Sequence, residues 1–168
     1  MQGSVSDREA MGLMMSSAEL ERGSQLAMEC VRDGRAEHVL PLPVTMPAFG
    51  SAPVSARRWL SLARFGGEDD YFSSDLGEER LGQTFGRLGR DGVIVAWFYG
   101  GEDEYVPKNI NKKELVQRWE VCVKKGGGAV STTSGVIDGA SHTLKGRGYP
   151  FEEFMRRVVG FLGEVERD

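Results

Sequence analysis

The sequence predicts an α/β fold with a mostly parallel sheet, on three observations. Val93–Tyr99 is an unbroken apolar run that empties into Gly100-Gly101 and the acids Glu102, Asp103 and Glu104. From there to the carboxyl terminus the pattern alternates strand, helix, strand, helix. The interval from Val5 to Val93 is far longer than the dozen or so residues, roughly, that a crossover between parallel strands needs. An apolar run of this kind suits a strand covered on both faces, and the alternation is the pattern of an α/β unit. The long interval is expected to be a helical, cap-like insertion over the sheet.

At 168 residues the chain has room for one domain with a real core. The domain is expected to span 1–168, with a cap-like insertion over about 35–90 and an acid- and histidine-bearing half over about 91–168. The net charge of −4 is mild and the two signs are interspersed, so there is no nucleic-acid footprint. No segment approaches the ~20 apolar residues of a bilayer span, and the first residues lack a charged-then-apolar signal pattern. No nucleic-acid or membrane partner is expected, and the cytoplasm is the expected compartment. Cys30 and Cys122 fall in helix-like segments and are expected to be buried free thiols.

Taken in order, Met1–Val5 reads as a short strand. Ser6 caps a helix with Glu9 at the third position, and Ser16 with Glu19 repeats the pattern. The first helix carries Met11, Leu13, Met14 and Met15 as core. The second runs to about Arg32 with Leu20, Leu26, Ala27, Cys30 and Val31 on its apolar face, and Asp33-Gly34 ends it. Pro41, Pro43, Pro47 and Pro53 exclude a long helix or a central strand over Leu40–Pro53. A helix over Ser55–Ala63, a loop over Gly66–Asp70 and a glycine-weakened helix over Asp75–Leu88 follow. Beyond the acidic loop, Asn111 and Glu114 open a helix with Leu115, Val116, Trp119, Val121, Cys122 and Val123 on its apolar side, closed by Gly126-Gly127-Gly128. A strand over about Ala129–Ile137 leads into the loop Asp138–Gly146. The last helix, about Pro150–Val165, starts on a proline and carries Phe151, Phe154, Met155, Val158, Val159 and Leu162 on one side.

Asp103 and His142 lie after successive predicted strands. A right-handed crossover puts both loops on one edge of the sheet, where ligands of open α/β sheets bind. A carboxylate hydrogen-bonded to one imidazole nitrogen fixes the tautomer and leaves the other nitrogen to act as a base. Acid before histidine is also the chain order of α/β-hydrolases. On residue types alone, a solvated loop acid and a turn histidine are the equal alternative. Other signals are bland. Gly126-Gly127-Gly128 leaves a helix and enters a strand, the reverse of a phosphate loop, so it reads as a turn. His38 has only Glu37 beside it, so no metal site and no cofactor is expected. Trp59, Trp97 and Trp119 sit in apolar segments and read as core. Arg57 and Arg58 read as a solvated helix face, with an anionic-substrate pocket as the alternative.

The segment Gly101-Glu102-Asp103-Glu104-Tyr105-Val106-Pro107 resembles the acid loop of α/β-hydrolases, and Gly139-Ala140-Ser141-His142 resembles their histidine loop. Asp7-Arg8-Glu9-Ala10, Pro53–Leu62, Asp70–Leu76 and Arg157–Leu162 are together similar to a fungal family of α/β-hydrolase-like proteins. Some members of that family are associated with ester hydrolysis of siderophores. The resemblance covers essentially the whole chain and matches the carboxyl-terminal part of the family. It implies a partial α/β-hydrolase fold, with Asp103 and His142 as acid and base of a Ser–Asp–His triad and a small-molecule ester as substrate.

The serine of that triad would stand on a Gly-x-Ser-x-Gly elbow, whose glycines permit a strained turn that exposes the hydroxyl. No serine or cysteine here has both glycines. Ser141 follows Gly139 but has Thr143 at the second position, and Ser4 follows Gly3 but is trailed by Val5-Ser6. The nucleophile is therefore not present, and the chain alone is expected to show little or no triad-dependent activity. A non-catalytic binding module that self-associates through an open sheet edge, and a truncated gene product, are the alternatives.

Overall fold

The computed structural model describes residues 4–145 and 148–167. The chain divides into two compact units, Val5–Ser73 and one built chiefly from Ser74–Asp168. Met1–Gly3 of the expected first strand lie outside the described residues, and Ser4 and Val5 belong to no strand. Gly146, at the end of the expected histidine loop, also lies outside them.

The unit Val5–Ser73 holds four helices, α1 (Asp7–Met14), α2 (Ser17–Arg32), α3 (Leu42–Phe49) and α4 (Ala56–Ala63). The expected caps form. The Ser6 and Ser16 hydroxyls accept from the amides of Glu9 and Glu19, and at Ser16 the Glu19 carboxylate accepts from the Ser16 amide in return. The proline-rich stretch becomes the short helix α3, with Pro43 in its first turn, where a missing N–H costs nothing.

The core of this unit is Met11, Met15, Ala27, Cys30, Leu40, Val54, Trp59 and Leu62. Of the methionine-rich face, Met11 and Met15 are buried one turn apart, while Leu13 and Met14 point outward. An α-helix buries positions i and i+4 together but not their immediate neighbours. On α2 the buried line is Gly23, Ala27 and Cys30, and Val31 is exposed. Small residues there admit Trp59. A Cβ at Gly23 would sit inside the Trp59 ring, and the indole Nε1–H donates to Ser24 Oγ at 3.2 Å.

The Gly66–Asp70 loop ends on a buried acid. Asp70 accepts from Arg8 Nε at 3.2 Å, from the Gly66 amide at 2.9 Å and from the Ser73 hydroxyl. The Ser73 and Ser6 hydroxyls meet at 2.6 Å, which ties the α1 cap into the same network.

The second unit carries α5 (Glu78–Arg90), β1 (Ile94–Val95), β2 (Phe98–Gly100), α6 (Lys112–Lys125), β3 (Ala129–Val130), β4 (Gly135–Ile137) and α7 (Tyr149–Val165). Among the described residues its strands pair in parallel, β1 with β3 and β2 with β4. Each of the two expected strands is thus two short pieces. Two residues separate β1 from β2 and four separate β3 from β4, so the second segment bulges. Its residues are Ser131–Ser134, whose polar side chains stand in for the missing ladder. Ser134 Oγ accepts from the Trp97 amide at 3.0 Å, and the Gly135 amide donates to the Trp97 carbonyl at 2.7 Å.

Phe85, Tyr99, Trp97 and Trp119 form an aromatic cluster of edge-on and tilted ring pairs with centroids 5.4–6.0 Å apart. The three tryptophans of the chain, Trp59, Trp97 and Trp119, are all fully buried. Gly86 and Gly89 of α5 serve its packing against α6. A Cβ at Gly89 would collide with the Val123 carbonyl, and one at Gly126 with the Gly86 carbonyl. Both cysteines are free and buried, and burial raises the Cys122 thiol above its ordinary pKa.

The apolar side expected for α7 separates into two lines. Phe154, Val158 and Phe161 pack on Ala96, Phe98, Ile137 and Ala140. Phe151, Met155, Val159 and Leu162, one step round the helix, are 43–65% exposed. No helix among the described residues is long and apolar enough to cross a membrane.

Candidate active site

β2 and β4 are paired in register, with Gly100 opposite Ile137, so the loops that follow them leave the same edge side by side. Gly100-Gly101 brings the two loops together. A Cβ at Gly100 would lie 2.8 Å from the Ala140 carbonyl oxygen, and one at Gly101 2.9 Å from that of Ile137. With no side chains in the way, the Gly101 and Glu102 amides donate to the Ile137 and Ala140 carbonyls, each at 2.9 Å.

That lacing delivers the two expected residues to one another. His142 Nδ1 lies 2.9 Å from Asp103 Oδ2. The Asp103 side chain is 2% exposed and the His142 side chain 25%. An ionised carboxylate can only accept, so Nδ1 carries the proton and Nε2 is left as the basic nitrogen. The other oxygen, Asp103 Oδ1, accepts from the Tyr105 amide at 3.0 Å, which fixes the carboxylate's orientation. The Tyr105 ring meets the imidazole edge-on, centroids 4.9 Å apart and planes at 82°.

Three further contributors were not singled out from the sequence. Lys112, in the first turn of α6, donates from Nζ to the Gly101 carbonyl at 2.6 Å and to that of Asp103 at 3.4 Å, pinning the acid loop from beneath. Glu104 Oε2 accepts from the His142 amide at 3.0 Å. That bond holds the Glu104 carboxyl below its ordinary pKa. Leu144, two residues past His142, is the non-glycine residue with positive φ among the described residues, at 52°. A branched side chain there is strained by about 1–2 kcal/mol; Leu144 is held by packing on the Phe98 and Ile137 core. Glu104 had a weak signal, since it competes with Asp103 for the role of acid. Lys112 and Leu144 had none, because a helix-to-loop approach and a backbone angle leave no mark on residue spacing.

Ser141 is engaged elsewhere, with Oγ accepting from the Lys145 amide at 3.2 Å. Arg57 and Arg58 are solvent-facing and paired, Arg57 with Glu37 at 2.8 Å and Arg58 with Asp69. Arg57 borders a groove of about 480 Å³ in the helical unit, lined also by Leu60, Arg64 and Phe65.

Parallel strands flanked by helices, with paired loops at their carboxyl ends, constitute a partial α/β-hydrolase fold. The siderophore hydrolase EstB from Aspergillus fumigatus superposes with a TM-score of 0.83 at 32% identity, over 98% of this chain and 56% of that one. The chain belongs to the family described as a protein of unknown function, DUF1749, whose profile matches residues 1–163. It is similar to Esterase AN6793 of Emericella nidulans, at 35% identity over all of this chain and 52% of that protein. It is similar also to Fusarinine C esterase sidJ of Aspergillus fumigatus, at 34% identity over 98% of this chain and 54% of that protein. The chain spans about half the length of the curated relatives it matches. Its named relatives are esterases and a siderophore hydrolase, so the family includes hydrolases.

Proposed function

We propose that this chain supplies the acid and the base of a serine-type carboxylic-ester hydrolase, with siderophore esters as the substrate class. The 2.9 Å contact between the buried Asp103 carboxylate and His142 Nδ1 carries the reading. His142 Nε2 takes the proton of an attacking serine, and Asp103 holds the ring and stabilises the imidazolium that results. Backbone amides beside the serine hold the developing oxyanion. The names of the relatives support an ester, and two of them support a siderophore ester.

The nucleophile is not in this sequence, so the isolated chain has little or no triad-dependent turnover. Purified chain is assayed on an activated ester with and without a serine-reactive phosphonate, alongside His142→Ala. The expected result is slow turnover, insensitive to both reagent and substitution. Phosphonate-sensitive turnover that disappears in His142→Ala would overturn it.

The exposed apolar line of α7, Phe151, Met155, Val159 and Leu162, favours a second reading, a non-catalytic association module. It predicts a defined oligomer whose affinity is unchanged by Asp103→Asn. Sedimentation showing only monomer at high concentration would exclude self-association.

A further inference from the structure

We propose that Glu104 is a positioning residue for His142, holding its backbone while Asp103 holds its ring. The inference rests on the reading of Asp103 and His142 as acid and base. Two adjacent carboxylates of one turn reach the same histidine at different atoms. Asp103 Oδ2 meets Nδ1 at 2.9 Å and Glu104 Oε2 meets the amide nitrogen at 3.0 Å. The Tyr105 amide, bound to Asp103 Oδ1, sets the turn in which the two side chains diverge. The hydrogen bond at Nδ1 orients the imidazole but does not itself fix the backbone that carries it. A second at the amide fixes that backbone, and fixed geometry is what a general base requires.

The need is local. The strained Leu144 follows within two residues, and Ser141 Oγ bonds the Lys145 amide rather than that of His142. The charges facing Glu104 are His142 and Lys145, both of which favour its ionised form, with Asp103 adjacent in the chain. Lys112 engages the carbonyls of this loop from α6. Glu104 therefore stays an anionic acceptor across the neutral range, because the His142 amide bond is the largest of the effects that lower its pKa.

The test is proton NMR on the full chain, whose only histidines are His38 and His142. A His38→Gln background makes the downfield Nδ1–H signal of His142 unambiguous. Glu104→Ala is expected to raise the exchange rate of that proton about three- to fivefold, and Glu104→Gln, which keeps an acceptor oxygen, to restore most of the protection. The His142 amide shift should also step as pH falls through the lowered pKa of Glu104, and lose that step in Glu104→Gln. The amide step needs only the wild type and the Gln variant, so it decides the matter even if the Ala variant unfolds.

Unchanged exchange in a folded Glu104→Ala chain, or a step that survives in Glu104→Gln, would overturn the inference while leaving the acid–base reading intact. The reading fails separately, taking the inference with it, if Asp103→Asn leaves turnover unchanged in a protein completed with a relative's amino-terminal half.

Discussion

Asp70 and Asp103 are both buried acids at the end of a loop, and they differ in what answers their charge. Asp70 is met by a guanidinium, a backbone amide and a hydroxyl, none of which exchanges a proton near neutral pH. Asp103 is met by one backbone amide and by an imidazole, a group whose second nitrogen can accept a proton. Burial is the same, at 3% and 4% exposed. The partner separates a carboxylate that holds a fold together from one equipped to tune a base. An acid surrounded by permanent donors is a clasp; an acid whose second oxygen faces a histidine is a candidate for chemistry.

Asp103→Asn should give the largest separation between the two. In a chain completed with a serine-bearing half it should lower kcat by roughly 10⁴-fold, because the amide favours the wrong imidazole tautomer. It should change stability by less than about 1 kcal/mol, since Asn still accepts from the Tyr105 amide. Asp70→Ala should do the reverse. It strips three donors of their acceptor and should cost about 2–4 kcal/mol in urea titrations followed by tryptophan fluorescence, leaving the Nδ1–H signal of His142 in place. If Asp70→Ala abolished that signal, the division of labour would be wrong.

Packing gives a smaller effect. Gly23→Ala puts a methyl into the Trp59 ring and should cost about 1–3 kcal/mol, again without touching the imidazole signal.

The smallest effect belongs to a partly buried acid on α7. The Glu153 pKa is lowered to about 2 by hydrogen bonds from Arg156 and then Arg157. A depressed carboxyl contributes stability that is present above its unfolded value and lost as pH falls through its folded one. The α7 pairs should therefore survive acidification from neutrality to about pH 3 and be lost towards pH 2. Circular dichroism of wild type and Glu153→Gln across that window checks it, with the two curves converging at the acid end.

The parts of the fold governed by short-range pattern were legible beforehand. Ser6, Ser16, Ser55 and Asn111 each cap the helix expected after them. The parallel order follows from strand–helix–strand alternation. Asp103 and His142 could be named because each lies just past an apolar strand, and the distance between them in space is then set by strand register.

What could not be read depends on approach rather than on period. The bulge at Ser131–Ser134 breaks a strand that looked continuous. Nothing in residue spacing marks Gly23 and Gly89 as the contact points for Trp59 and α6 that they are. The apolar line of α7 is wider than the surface it packs against, so periodicity marks Phe151 and Phe154 alike while only Phe154 joins the core. Asp70 was read as one acid among several in a loop, because its burial depends on Arg8 and Ser73, distant in sequence on one side and local on the other.

Asp103 and His142, proposed above as an acid–base pair, should work once a serine is supplied. The direct measurement joins this chain to the amino-terminal half of the Fusarinine C esterase of Aspergillus fumigatus and follows hydrolysis of a siderophore ester. The account predicts turnover that is blocked by a serine-reactive phosphonate and lost in both Asp103→Asn and His142→Ala. A folded, phosphonate-sensitive joined protein that hydrolyses the ester equally well with either substitution would contradict it.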